Sequence, residues 1–224
     1  MTLTAENISK RYFRKTGEAN YFEAVKPLSL SLEPGRVTVL MGRSGSGKTT
    51  LLHMLSGLLT PDSGKIHLDG TDLYSLPDPA LSRLRNEKIA VIPQGRSTVD
   101  SLTVLENILL PGMLLRQNRE KQAEKWMEAL GISQLASAMP RELSGGELRR
   151  AAIARSLAQD SPVILADEPT GDLDDENTKL VLSLLQAAAK EGKTVFLVTH
   201  ESDALSYADN AYRMDNGMIA PINK

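Results

Sequence analysis

Gly42-Arg43-Ser44-Gly45-Ser46-Gly47-Lys48-Thr49 fits the pattern G-x-x-x-x-G-K-[ST] in full, and its flanks decide the fold. Val37-Thr38-Val39-Leu40-Met41 reads as a short buried strand, and Thr50-Leu51-Leu52-His53-Met54-Leu55 opens a helix. Glycines at this spacing let successive backbone N–H groups turn inward without a side chain in the way. The helix that follows aims its positive dipole end, roughly half a charge, at the same point. The stretch is therefore read as a phosphate cradle running from Gly42 to Thr50. Lys48 is expected to reach the β- and γ-phosphates of a nucleotide, and the Thr49 hydroxyl to bind Mg²⁺. A glycine- and serine-rich turn that happens to precede a lysine is the competing reading; strand before and helix after count against it.

The chain has 224 residues, enough for one sizeable core or a core with a smaller lobe. Lys and Arg number 26 against 28 Asp and Glu, so no nucleic-acid or anionic-membrane surface is expected. Cysteine is absent, which excludes disulfides and thiol chemistry and suits a reducing compartment. Met1-Thr2-Leu3-Thr4-Ala5-Glu6 lacks a basic-then-apolar signal segment. The apolar run Ile108–Leu115 falls far short of the roughly 20 residues that span a bilayer. The expectation is a chain that does not cross a membrane; work at one requires a separate polypeptide.

Leu28-Ser29-Leu30-Ser31-Leu32 alternates strictly, and Glu33-Pro34-Gly35-Arg36 turns the chain into the phosphate-loop strand. Lys65–Leu68, Asp69-Gly70 and Thr71–Leu73 give a hairpin signal, and Ile89–Ile92 is a buried strand closed by Pro93. From about Thr103 to Ala158 the pattern is helical: one segment spans Gln117 to Leu130 with Gly131 at its C-terminal cap position. Val163–Ala166 and Thr194–Val198 are again strand-like, with helix-like Asn177 to Lys190 between them. Apolar strands alternating with helices indicate a parallel sheet buried on both faces. The expected architecture is α/β: a P-loop NTPase core with a parallel central sheet, an N-terminal antiparallel β portion and an inserted helical subdomain. One domain is expected over 1–224, with the core at 1–95 and 159–224 and the helical part at about 96–158.

Val163-Ile164-Leu165-Ala166-Asp167-Glu168 places two carboxylates where a buried strand emerges, at the sheet edge that also carries the phosphate loop. Asp167 is suited to hold Mg²⁺ or its water shell, and Glu168 to orient or deprotonate an attacking water. Two solvated acids at a strand end are the plainer reading, weakened by the phosphate loop.

Leu143-Ser144-Gly145-Gly146-Glu147 narrows the choice among P-loop enzymes. Ser144-x-x-Glu147 fits a capping box for a helix from Leu148 to Leu157, which makes the preceding glycines a capped helix N-terminus, an anion site with no pocket of its own nearby. With the loops above, the segment resembles the signature motif of ABC-type ATPases, whose common form ends in Gln where this chain has Glu147. The resemblance covers essentially the whole chain and implies ATP and Mg²⁺ as ligands. It also implies a head-to-tail homodimer or heterodimer of ATPase subunits, each offering residues 143–147 to the partner's γ-phosphate. Gln94 then matches the glutamine that contacts Mg²⁺ or the attacking water, and Asp174 in Gly171-Asp172-Leu173-Asp174 the D-loop aspartate at the subunit boundary. His200 matches the switch histidine that reads the γ-phosphate, and Tyr12 the aromatic that stacks on adenine, with Phe13, Tyr21 and Phe22 as alternatives.

Asp167-Glu168-Pro169-Thr170-Gly171, with Glu106-Asn107, is most similar to the branch serving lipoprotein release, macrolide and peptide export, and the cell-division pair. That implies a place on the cytoplasmic face of the cell membrane through a separate permease. Two departures stand out: Asp172 where the family usually has Asn, and the polar run Gly95-Arg96-Ser97-Thr98-Val99-Asp100-Ser101 where relatives are apolar. The second lies beside the groove that receives the permease in the family and leaves the cargo open. Three other readings compete. A cell-division-like regulator without transport fits the same residues. A non-transport ABC ATPase is disfavoured by the absence of sustained heptads and of a second cassette. A small-molecule kinase would leave the signature and His200 without roles.

Overall fold

The computed structural model describes residues 1–13, 21–95 and 97–222; Arg96, in the polar run and at the expected subdomain boundary, lies outside them. Two long antiparallel strands, β1 (Leu3–Phe13) and β2 (Tyr21–Leu32), precede β3 (Val37–Gly42) and α1 (Lys48–Leu55). The hairpin β4 (Ser63–Leu68) and β5 (Thr71–Asp72), α2 (Asp78–Lys88) and β6 (Ile89–Ile92) follow. Three helices come next: α3 (Val104–Leu114), α4 (Glu120–Ala129) and α5 (Gly145–Ala158). The chain then runs through β7 (Val163–Asp167), α6 (Asp175–Lys190), β8 (Thr194–Thr199), β9 (Asn210–Asp215) and β10 (Met218–Pro221).

The strands form a four-stranded sheet in the order β2-β1-β4-β5 and a six-stranded sheet in the order β10-β9-β3-β8-β7-β6. Neighbours from β9 to β6 are parallel, and only β10 joins antiparallel. The near-continuous apolar runs of the central strands follow from burial on both sides. Ile164, Ala166, Val195 and Leu197 pack into a core shared with α3 to α6. Val163, Leu165, Phe196 and Val198 point the other way, into a core shared with α1 and the antiparallel sheet.

Register places the site. Met41 pairs with Thr199, Asp167 with Val198, and Ile92 with Ala166, so β3, β8, β7 and β6 all end at one edge. The phosphate loop, His200, Glu168 and Gln94 therefore leave the sheet side by side, the usual ligand position of an open parallel sheet.

Among the boundaries that differ from the sequence reading, three helix starts have a clear cause. α5 starts at Gly145, not Leu148, because Ser144 is the N-cap and both glycines lie in the first turn. α4 starts at Glu120 because the Asn118 side chain accepts from the Glu120 N–H at 2.9 Å and competes with the helix. α6 starts two residues early, capped by Asp174. The sequence reading assigned no element to α2, which buries only Leu81 and so lacks an apolar stripe.

Candidate functional site

Gly47 is the N-cap of α1 with φ 109°, and a Cβ there would stand 2.1 Å from the Ala24 carbonyl oxygen. Only glycine fits. No side chain caps α1 and no acid occupies its first turn, so its N–H groups are left for an anion. Lys48 is buried; its Nζ donates to the carbonyls of Gly42 at 2.7 Å and Arg43 at 3.1 Å and lies 3.8 Å from Glu168 Oε1.

Asp167 ends β7 and is 2% exposed. Burial pushes its carboxyl up; the Thr49 hydroxyl bonded to it pulls the other way, and the Glu168 charge adds to the rise. Asp167 Oδ1 is buried without a hydrogen-bond partner among the described residues. An orphaned carboxylate oxygen beside a threonine hydroxyl suits a hard cation that also coordinates phosphate. Among the described residues no group of three or more His, Cys, Asp or Glu could hold a metal.

Glu168 stands at φ 47°, in the left-handed region. Its Oε2 accepts from Thr199 Oγ1 at 3.1 Å and the His200 N–H at 3.3 Å, and lies 3.0 Å from His200 Nδ1, whose role the tautomer sets. Gln94 and His200 are exposed.

Two cavities meet at this edge. One, of about 670 Å³, is lined by Arg43 to Gly45, Gly47 to Thr50 and the aromatic pair Tyr12 and Phe22. The other, of about 500 Å³, is lined by Gly145, Leu148, Arg149 and Asp172. Gln94, Glu168 and His200 line both and form the wall between them. Tyr12 pairs across from Phe22, and Phe13 from Tyr21. Successive strand residues face opposite ways. Phe13 and Tyr21 thus stack edge to face, centroids 5.7 Å apart, away from the phosphate loop.

Ser144 and Glu147 close a reciprocal cap: Glu147 N–H donates to Ser144 Oγ at 3.4 Å, and Glu147 Oε2 accepts from the Ser144 hydroxyl at 2.7 Å and its N–H at 2.8 Å. These bonds hold the Glu147 carboxyl below the usual range. Leu143 is buried and anchors the turn, whereas Ser144 and Gly145 are exposed. Asp174 caps α6 by accepting from the Asn177 N–H and Nδ2, each at 2.8 Å. Among the described residues, none of Leu143–Glu147 nor Asp174 lines the phosphate-loop cavity. The signature tip does have a cleft beside it, against the sequence expectation, because α5 packs on β6 and brings Gly145 to the wall of the second cavity.

Sequence reasoning missed Arg149. The residue is 5% exposed, and its guanidinium donates to the carbonyls of Pro93, Asp167, Glu168 and Pro169. Arg149-Arg150 looks like ordinary helix surface charge, and no local signal separates the two. The role of Asn107 was also missed: 1% exposed, it bonds Val99, Leu102 and Thr103 and pins the loop after Gln94.

Known proteins resemble this chain in sequence and in fold. The profile of the family described as "ABC transporter" matches residues 25–171. The macrolide export ATP-binding/permease protein MacB of Chlorobaculum tepidum is 35% identical over 97% of this chain, which spans 33% of that relative's length. The lipoprotein-releasing system ATP-binding protein LolD 2 of Rhodopirellula baltica is 34% identical over 98% of this chain and 89% of its own. The dimeric post-hydrolysis structure of the ATP-binding cassette MJ0796, bound to ADP and Pi, superposes with a TM-score of 0.90 at 30% identity, covering 99% of each chain.

Proposed function

Because the chain belongs to the ABC transporter family, we propose that it is the ATP-hydrolysing subunit of a transporter, acting as one cassette over 1–224 in a pair of cassettes on a separate permease. One observation carries this reading: the phosphate loop, Tyr12, Gln94, Glu168 and His200 line one cavity, while Leu143–Glu147 and Asp174 stand outside it. A site divided in this way is complete when a second protomer lays its signature over the first protomer's nucleotide. The paired cassettes of MJ0796 with ADP and Pi support that arrangement.

In this reading the loop from Gly42 to Thr50 and Lys48 hold the ATP phosphates, and Tyr12 stacks on the base. Thr49, Asp167 and Gln94 would hold Mg²⁺, which would supply charge neutralisation to the phosphates. Glu168 orients the attacking water and takes its proton, His200 contacts the γ-phosphate, and Ser144, Gly146 and Asp174 of the other protomer close the site. Phosphoryl transfer needs mainly positioning and charge stabilisation, so dividing the site between protomers gates it.

The permease seat proposed is a groove between α2, α3 and α5, lined by Leu58, Leu110 and Leu114 with Arg85 and Arg155 at its sides. Leu58 is 54% and Leu114 72% exposed, an apolar pair suited to burial by a partner. No helix among the described residues is long and apolar enough to cross a membrane. The same reading attaches the chain to the cytoplasmic face through a permease, with a lipoprotein, peptide or drug-like cargo; the relatives named for macrolide export and lipoprotein release support it.

The test is Glu168→Gln. It is expected to keep ATP binding, lose about 10²–10⁴ in turnover, and shift from monomer to dimer with MgATP in light scattering. Near-normal turnover would remove Glu168 from the mechanism, and a monomer at saturating MgATP would defeat the paired reading.

A further inference from the structure

We propose that Arg149 is a positioning residue that fastens the signature helix α5 to both backbone segments carrying the reacting side chains, so that Glu168 and Gln94 are aimed by the helix that presents Ser144 to the other protomer. The inference rests on the reading of Glu168 as the base.

All three guanidinium nitrogens are engaged. Nε donates to Pro169 O at 2.9 Å, Nη1 to Pro93 O at 2.5 Å, and Nη2 to Asp167 O at 3.0 Å and Glu168 O at 2.6 Å. The acceptors are chosen by place. Pro93 O belongs to the peptide that leads into Gln94, and Asp167 O and Glu168 O flank the Glu168 residue itself. One rigid, planar fork therefore holds four peptide planes at once, which an ammonium on a flexible stem cannot do.

Two further facts argue for more than packing. These four hydrogen bonds of the guanidinium all go to neutral carbonyls, and burial pushes its proton affinity down, with the charges of Asp167, Asp172 and Glu168 opposing. A buried cation held this way is costly, and an apolar side chain would fill the space at less cost. Second, Glu168 stands at φ 47°, a conformation a non-glycine residue keeps only when its surroundings impose it. The bond to Glu168 O holds the peptide that follows. Other polar side chains of α5 reach elsewhere: Arg150 to Asn177, Arg155 to Ser97 and Ser156 to Val91.

The experiment compares Arg149→Met and Arg149→Lys with the intact chain in steady-state ATPase assays, MgATP titrations and melting scans, with Glu168→Gln alongside. Misplacement of a reacting group by about 1 Å costs about 10²-fold. Arg149→Met is expected to lose about that much in kcat per folded protomer, with the Kd for MgATP within about threefold. Arg149→Lys, reaching fewer carbonyls, is expected to fall between. Wild-type kcat in folded Arg149→Met overturns the inference. So does a loss of MgATP affinity that matches the loss of kcat, since that places Arg149 in binding or folding. If Arg149→Met fails to fold, Arg149→Lys decides: wild-type kcat there overturns the inference, and an intermediate kcat at unchanged affinity supports it. An active Glu168→Gln sinks the underlying reading; an inactive one beside normal Arg149 variants sinks only the inference.

Discussion

The sheet edge and the signature tip solve opposite problems. At the edge, Lys48 and Glu168 side chains are 7% and 11% exposed, and Asp167 is buried with an oxygen left unpartnered. At the tip, exposed Ser144 is bonded reciprocally to Glu147, and exposed Asp174 accepts from Asn177 through Oδ1. Burying an unpaired polar atom costs free energy, so its persistence marks where a ligand supplies the missing partner. A satisfied cap in solvent needs nothing further to be stable. Its chemical use must come from something brought to it, which in the proposed function is a second protomer.

The strongest way to break that contrast is complementation. Lys48→Ala removes the buried half of a site, and Ser144→Arg blocks the exposed half. Each alone is expected to lose at least about 10² in turnover, well beyond the ~1 kcal/mol that loss of a helix cap costs. Mixed, they form heterodimers with one intact composite site, and turnover in a coupled phosphate-release assay should rise well above either parent. A mixture as inactive as its parents would mean that the two regions do not belong to one site.

The same contrast explains what the sequence revealed. The edge was legible because its groups come from short local patterns: a glycine loop between strand and helix, and two acids after four apolar residues. Parallel register then brought Gln94, Glu168 and His200 together without further information. The tip was legible as a cap, although its helix began earlier than expected, since a capping box marks the cap and not the run of apolar residues after it. What stayed hidden was long-range. Arg149 reaches carbonyls 18 to 56 residues away, and carbonyls have no identity in a sequence. Tyr12 could not be separated from Phe13 until strand pairing gave each a face.

A smaller effect tests the cost of burial at the edge. Asp167→Asn removes the charge whose desolvation pushes the carboxyl up. Without nucleotide this variant should melt a few degrees higher, about 1 kcal/mol more stable, while losing Mg²⁺-dependent turnover. The sign with pH follows. Because the folded carboxyl holds its proton more tightly than the unfolded one, its contribution favours folding at low pH. That contribution is lost as pH rises from the ordinary aspartate range through the raised folded value. The pH slope should flatten in Asp167→Asn. An unchanged slope, or a lower melting point, would mean that the buried carboxylate is already compensated and that the edge is not held under tension.

The smallest effect lies at Asp174, where structure and proposed chemistry overlap. Its carboxyl is held below the usual range, first by the Asn177 N–H and then by the Asn177 side chain. This cap is worth least at low pH, because the contribution is present above the ordinary aspartate range and fades as pH falls through the lowered folded value. Asparagine caps a helix about as well as aspartate, whereas alanine does not. Asp174→Ala should therefore lower the melting temperature of the monomer by about 2–4 °C, and Asp174→Asn should leave it nearly unchanged. If the aspartate acts only as a cap, turnover follows melting, and the asparagine variant is normal in both. If its charge also serves the neighbouring protomer, Asp174→Asn melts normally yet hydrolyses ATP more slowly, with the deficit growing as the protein is diluted toward monomer. Only the second outcome makes this exposed aspartate part of a site shared between protomers; the first leaves the contrast between edge and tip resting on Ser144 and Gly146 alone.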